Sequence, residues 1–201
     1  MLGALCFLFL FNSCNEKSKT KLPHNIVLGM IQETRNKLAG IPIASTPLGG
    51  AELPPVVDLS DRMPDVGDQG QQQSCVAWAV AYALKSYQER VELGQRLNFS
   101  PSYIYNQINN GQNVPTLVTD ALNVLSDQGV CLLDEMPYKE DDWISKPNET
   151  AKMSAKRFRI DYWRQVNVQD IKEVKAQVNA GLPVIIGAGV SYEFATEGKE
   201  Q

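Results

Sequence analysis

The run Gln69-Gly70-Gln71-Gln72-Gln73-Ser74-Cys75 passes without a break into Val76-Ala77-Trp78-Ala79-Val80-Ala81-Tyr82-Ala83-Leu84, and no other stretch restricts the possible folds as strongly. A helix with no polar face over its first ten residues has no place on a surface and belongs in the middle of a domain. Polarity returns at Lys85, Glu89, Arg90 and Glu92, so the spacing predicts a helix from Cys75 to Leu93, stopped at Gly94, whose far end reaches the surface. A polar, glycine-containing loop thus delivers one cysteine to the first turn of a buried helix. The free N–H groups of a helix N-terminus favour thiolate over thiol, which makes Cys75 a candidate nucleophile. Gln69, upstream in the same loop, can add a side-chain N–H beside the backbone N–H of Cys75, and the two together would form an oxyanion hole. The alternative for Cys75 is a buried core thiol, since free cysteine is among the most buried residue types.

The segment resembles the active-site run of the papain-like cysteine peptidase family, where Gln-Gly and a short turn lead to Ser-Cys-Trp-Ala-Phe at the head of the central helix. The resemblance puts Gln69 in the place of the oxyanion-hole glutamine, Ser74 in that of the preceding serine, and Cys75 in that of the nucleophile. Ala77 matches the alanine that follows, and Trp78 stands where the family has an aromatic residue. Val76 replaces the usual tryptophan, a change that bears on the shape of the substrate groove. Gln72 replaces a cysteine that normally forms a disulfide, which removes a cross-link without touching the chemistry.

The resemblance covers roughly residues 53 to 194. It implies an α+β, two-lobe papain-like fold, with the helical first lobe present and the β-rich second lobe truncated. Leu53-Pro54-Pro55-Val56-Val57-Asp58-Leu59 resembles the start of the mature domain, where Leu-Pro opens an extended strand. Gly129-Val130, Glu135 and Met136-Pro137-Tyr138 fit the pattern that follows the family's Ala-Leu helix. In relatives a Gly-rich loop pairs with the substrate backbone, which points at Asn110 and Gly111, although Gln112-Asn113-Val114-Pro115 departs from the double-glycine form. These two residues and Ser74 are the substrate-binding candidates.

Other elements follow from local pattern. Ser100-Pro101 is a helix start, with an N-cap hydroxyl and Pro at the first helical position, leading to a helix over 102–109. Thr116 or Thr119 opens a helix with Leu117, Ala121, Leu122 and Leu125 on one stripe, closed by Gly129. Residues 157–166 alternate loosely and read as a strand. Residues 170–180 form an amphipathic helix on Ile171, Val174 and Val178, and 183–190 a buried strand.

The N-terminus divides from the rest. Leu2 to Phe11 is almost wholly apolar, too short for the roughly 20 residues of a membrane span but of the length of a secretory signal core. Ser13 before Cys14, and the polar run after it, resemble a bacterial lipoprotein cleavage site with Cys14 as the lipidated residue; the alternative is an ordinary signal peptide with an incidental Cys14. The expected divisions are therefore a signal peptide at 1–14, a linker or short prosegment at 15–52, and a peptidase domain at 53–201. Residues 26–38 read as an amphipathic helix ending before Gly40. In papain-like enzymes such a helix and the extended strip after it lie back across the groove as an inhibitor; a plain linker is the alternative.

A thiolate peptidase needs an imidazole to take the proton and return it to the leaving amine. The chain's one histidine, His24, lies close behind the leader, before any core can form, and is rejected as the base. In the family, the histidine and an orienting asparagine follow the strand expected at 183–190, so the chain is expected to stop short of them, to be catalytically inactive or nearly so, and to leave that strand unpaired and the protein poorly soluble on size-exclusion chromatography. The net charge of −4 leaves no electrostatic footprint for nucleic acid. With Cys6 and Cys14 in the leader, Cys75 and Cys131 make no CxxC pair, so no metal site is implied, nor any cofactor.

The leading expectation is an exported cysteine endopeptidase of the cell envelope, lipid-anchored to a bacterial membrane, acting on a peptide or protein substrate. A catalytically inactive surface lipoprotein that keeps the lobe as a binding module is the alternative, and acyl transfer other than hydrolysis is open to any Cys–His site.

Overall fold

The structure is a computed structural model that describes residues 5–9, 29–45, 52–167 and 169–188, the first of these stretches in its backbone only. Cys14 and His24 lie outside the described residues. In chain order the elements are β1 (Leu5–Phe9), α1 (Arg35–Leu38), a 3-10 turn (Ser60–Arg62), α2 (Cys75–Ala77), a π-helical stretch (Trp78–Lys85), α3 (Ser86–Leu93), α4 (Pro101–Ile108), α5 (Val118–Asp127), α6 (Glu149–Ala155), a second 3-10 turn (Lys156–Phe158), β2 (Trp163–Val166), α7 (Ile171–Asn179) and β3 (Val184–Gly187).

The apolar run from Cys75 builds the centre of the molecule. α2, the π-helical stretch and α3 follow one another as a single rod, which ends at Gly94 in the left-handed conformation (φ 67°). Ala77 and Ala81 are fully buried, and their small side chains let α4 and α5 close on the rod through Ile104, Tyr105, Ala121, Leu122 and Leu125. The widening of the rod to π geometry places its extra main-chain turn directly behind the candidate nucleophile.

Lys85 and Glu89 do not mark a surface. Both are buried, Lys85 only 1% exposed, and they form an ion pair at 2.6 Å, with Lys85 also donating to Gln88 Oε1 and Arg159 O. Two opposite charges one turn apart on the same helix compensate each other and can be taken into the core together. The exposed part of the rod begins at Val91.

Helix α4 begins as its sequence dictates: Ser100 accepts from Tyr103 N, and Pro101 occupies the first position. Helix α5 does not. Neither Thr116 nor Thr119 caps it; its N-cap is Leu117, which offers no side chain, and the acceptor comes from Glu33. Thr119 N and Thr119 Oγ1 donate to Glu33 Oε1 at 2.9 and 2.7 Å, and the carboxylate is 3% exposed. A negative group at a helix N-terminus also meets the helix dipole favourably.

That contact fixes the conformation upstream. Among the described residues of the predicted 26–38 helix only Arg35–Leu38 is helical, capped by Thr34, and Gly29–Ile31 is extended because its main chain bonds to Thr116. No strand forms over 53–59. The predicted 157–166 strand is confined to Trp163–Val166, because Phe158 and Ile160 turn into the helical core.

The strands form one parallel sheet in the order β2-β1-β3, with Cys6 in register with Arg164 on one side and Val184 on the other. β3, expected to lack a sheet partner, pairs with Leu5–Phe9, which satisfies one edge of its main chain. Gln165 of β2 holds the segment after α1: its N donates to Pro42 O, its carbonyl accepts from Ala44 N, and its Nε2 donates to Leu38 O and Ile41 O. Among the described residues no helix is long and apolar enough to cross a membrane.

Candidate active site

Asp68 and Gly70 start the loop that ends in Cys75. Gly70 takes a positive φ of 56°, a conformation few other residues adopt, and its N–H is held by Asp68 Oδ1 at 2.8 Å. Gln71 N donates to Glu140 Oε2, also at 2.8 Å. Cys75 is then the first residue of α2, half-buried, with a free thiol; Cys131 is free and fully buried.

Three side chains, one of them in the loop, tie it to the rest of the fold. Gln72, fully buried, sends its amide to the carbonyls of Lys139, Glu140 and Asp142 at 3.2 to 3.5 Å. Asn113 grips the main chain on either side of Gln72: its Oδ1 accepts from Gln73 N at 2.7 Å and its Nδ2 donates to Gln71 O at 3.3 Å, while its own carbonyl accepts from Gln73 Nε2. Tyr138 donates its hydroxyl proton to Gln69 O and, having only one, accepts from Ser74 Oγ, both at 2.8 Å. Gln69 Nε2 donates one proton to Gln72 O at 2.9 Å, which leaves its second N–H unassigned beside the same loop.

Residues 29–31 lie against the nucleophile position. A Cβ on Gly29 would stand 2.7 Å from Cys75 Sγ and 2.9 Å from Cys75 N, so only glycine fits there. Its N–H acts on the sulfur as one of the groups that pull the thiol down. On the far side Thr116 N donates to Gly29 O at 3.2 Å and Ile31 N donates to Thr116 O at 2.8 Å, which pairs Met30 with Thr116 in parallel. Met30 reaches over to Gly187 of β3.

This cover reverses the electrostatic expectation for the thiol. Burial pushes the Cys75 thiol up, and it outweighs the N–H groups of Gly29, Val76 and Cys75 that pull it down. Burial therefore holds Cys75 towards the protonated thiol and away from the thiolate that the helix N-terminus alone would favour.

The remaining candidates separate. Ser74 is fully buried and turned to Tyr138 rather than to an open groove. Asn110 (φ 54°) and Gly111 (φ 73°) form a left-handed turn after α4, with Gly111 N held by Asn109 Oδ1, and the main-chain partner of Gly29–Ile31 is Thr116. Tyr138, Asn113, Thr116 and Gly29 carry the site although the sequence motif does not single them out for it; Tyr138 alone has a signal, as the end of the Met136-Pro137-Tyr138 run. Among the described residues no group of three or more His, Cys, Asp or Glu side chains is arranged to hold a metal ion.

Comparison with known proteins gives fold neighbours and no sequence match. No protein-family profile and no curated protein matches the sequence. Among solved structures the chain is similar to xylellain, a cysteine protease from Xylella fastidiosa, at 26% identity and a TM-score of 0.69, over 81% of this chain and 67% of that one. It is also similar to procathepsin B S9 from Trypanosoma congolense (15% identity, TM-score 0.58, 76% of this chain and 56% of that one). The digestive procathepsin L 3 of Tenebrio molitor larval midgut is a further neighbour (15% identity, TM-score 0.56, 69% of this chain and 44% of that one). The chain thus spans between less than half and about two-thirds of the length of these neighbours.

Proposed function

The chain has the papain-like fold of the cysteine peptidases, and from that premise we propose that it is a latent cysteine endopeptidase acting on peptide or protein substrates. The observation that carries this reading is the position of Cys75: first residue of the buried rod, with Gln69 at the other end of a loop held on three sides. In the reaction the Cys75 sulfur attacks the scissile carbonyl carbon. The carbonyl oxygen takes the negative charge and is stabilised by the second Gln69 side-chain N–H and the Cys75 N–H. An imidazole takes the thiol proton and gives it to the leaving amine, and water then hydrolyses the thioester. The neighbours' names supply the reaction class; the chain's one histidine is His24, and the base is assigned to no residue of the chain.

Residues 15–52 act in this reading as a short prosegment. A plain tether has no reason to bury Glu33, Leu38 and Ala44, or to set a glycine on the nucleophile. Export and a lipid anchor at Cys14 belong to the same proposal, rest on the sequence around Ser13-Cys14, and would remove Leu5–Phe9 and its pairing with β3 from the processed chain.

A peptidyl epoxide tests the function. Labelling that requires Cys75 and the peptide arm supports the peptidase; labelling at the rate of the bare epoxide, or unchanged in Cys75→Ala, refutes it in favour of a binding module.

A further inference from the structure

The two donors of an oxyanion hole sit at opposite ends of the Gln69–Cys75 loop, and the separation between them has to hold to within about 0.5 Å for either to be useful. The loop does not fix that separation by itself. Its turn is closed by Gln72 N to Gln69 O at 3.4 Å, a long bond, around a Gly70 with freedom that other residues lack. Gln72 and Asn113 hold the middle of the loop. One group reaches both ends: the Tyr138 hydroxyl, bonded to the carbonyl of Gln69 and to the side chain of Ser74, the residue before Cys75.

Tyr138 is itself anchored to the element that carries the nucleophile. Its ring meets Trp78 of the rod edge-on, with centroids 4.8 Å apart and planes at 72°. Burial pushes its phenol up, so the hydroxyl remains the neutral donor that the Gln69 carbonyl needs.

We propose that Tyr138 is a positioning residue of the oxyanion hole, its hydroxyl setting the distance between the Gln69 side-chain N–H and the Cys75 N–H. The inference rests on the peptidase reading above and adds a residue to it. Tyr138→Phe keeps the ring on Trp78 and removes only the hydroxyl, and two probes of Cys75 on the full chain separate position from general integrity. N-acetyl-Leu-Leu-norleucinal forms a reversible S–C bond; the aldehyde π electrons move to its oxygen, which occupies the hole and takes up the thiol proton. Iodoacetamide alkylates the same sulfur at its methylene carbon with loss of iodide and a proton and develops no oxyanion.

Tyr138→Phe is expected to weaken the aldehyde adduct roughly tenfold while changing the iodoacetamide rate by less than about twofold. Equal aldehyde affinity, or equal losses with both probes, overturns the proposal and leaves the peptidase reading standing. A wild-type chain that forms no Cys75-dependent adduct removes that reading and the proposal with it. Ser74→Ala, which takes away one of the hydroxyl's two partners, gives a second measure: in the double variant the losses do not add if both act through Tyr138, and additive losses overturn the assignment.

Discussion

Gly29→Ala is the sharpest perturbation of the covered thiol. The new Cβ would stand 2.7 Å from Cys75 Sγ, 2.9 Å from Cys75 N and 2.9 Å from Gln73 C. Ordinary carbon contacts lie at about 3.5–4.0 Å, so residues 29–31 must retreat by about 1 Å. None of the three atoms is the loose end of a long side chain, and the loop behind them is tied to Asn113 and Gln72, so it is the segment that yields. The retreat breaks or lengthens the Gly29 N–H contact to sulfur and the two main-chain bonds to Thr116. At about 1 kcal/mol net for each bond, the docked state loses about 1–3 kcal/mol, or about 5- to 150-fold in its occupancy relative to the open state. Iodoacetamide alkylation of Cys75, followed peptide by peptide by mass spectrometry with buried Cys131 as the internal reference, reads this directly. Because burial is the largest cause raising the Cys75 thiol, opening it lowers the pH midpoint of the alkylation profile as well as raising the rate. An unchanged rate and midpoint in Gly29→Ala would refute the argument that residues 29–31 keep the thiol protonated.

Glu33→Ala leaves Thr119 N without its acceptor and is expected to cost about 1–3 kcal/mol in urea unfolding, whereas Glu33→Gln keeps an oxygen at the same place and costs less; equal losses would remove Glu33 as the cap of α5. Gln72→Leu strips one donor from the carbonyls of Lys139, Glu140 and Asp142 and should lower Tm by roughly 2–10 °C, measured by calorimetry. Cys131 is pushed up to about 12 by burial and by the nearby Glu135, so above about pH 9 the unfolded chain releases a proton that the folded one keeps. Stability then falls as pH rises from about 9 towards 12, and Cys131→Ala should flatten that alkaline decline in denaturant titrations; an identical decline would exclude Cys131 as its source.

What could be read from the sequence was local. The rod from Cys75 to Leu93, its stop at Gly94, the Ser100 cap and the stop of α5 at Gly129 (φ 82°) each depend on residues within a turn of one another. The misread places depend on partners far along the chain. Glu33 caps a helix 86 residues away, which is why neither nearby threonine was needed. Lys85 and Glu89 looked solvated because charge alone does not tell a paired ion from a free one. The spacing of Val27, Met30 and Ile31 suits a helix, yet the main chain of Thr116 offers Gly29–Ile31 a strand-like partner and the propensity yields. At the candidate site, Cys75 and Gln69 could be paired from the sequence because the loop and helix that carry them are contiguous. Tyr138 and Asn113 act across the fold, and tertiary packing reveals the bonds by which they hold the loop.

The amide clamp made by Gln72 and Asn113 has a consequence for redox chemistry. A thiol nucleophile works only while reduced, and any reductant that protects it also attacks disulfides by thiol exchange. A loop held by a disulfide would therefore be loosened by the conditions that keep its own cysteine active. In this chain the bonds that clamp the loop ahead of Cys75 run from amide to carbonyl, and Cys75 and Cys131 are both free. The clamp is thus indifferent to potential: a reductant strong enough to keep the Cys75 sulfur reduced leaves the loop ahead of it unchanged.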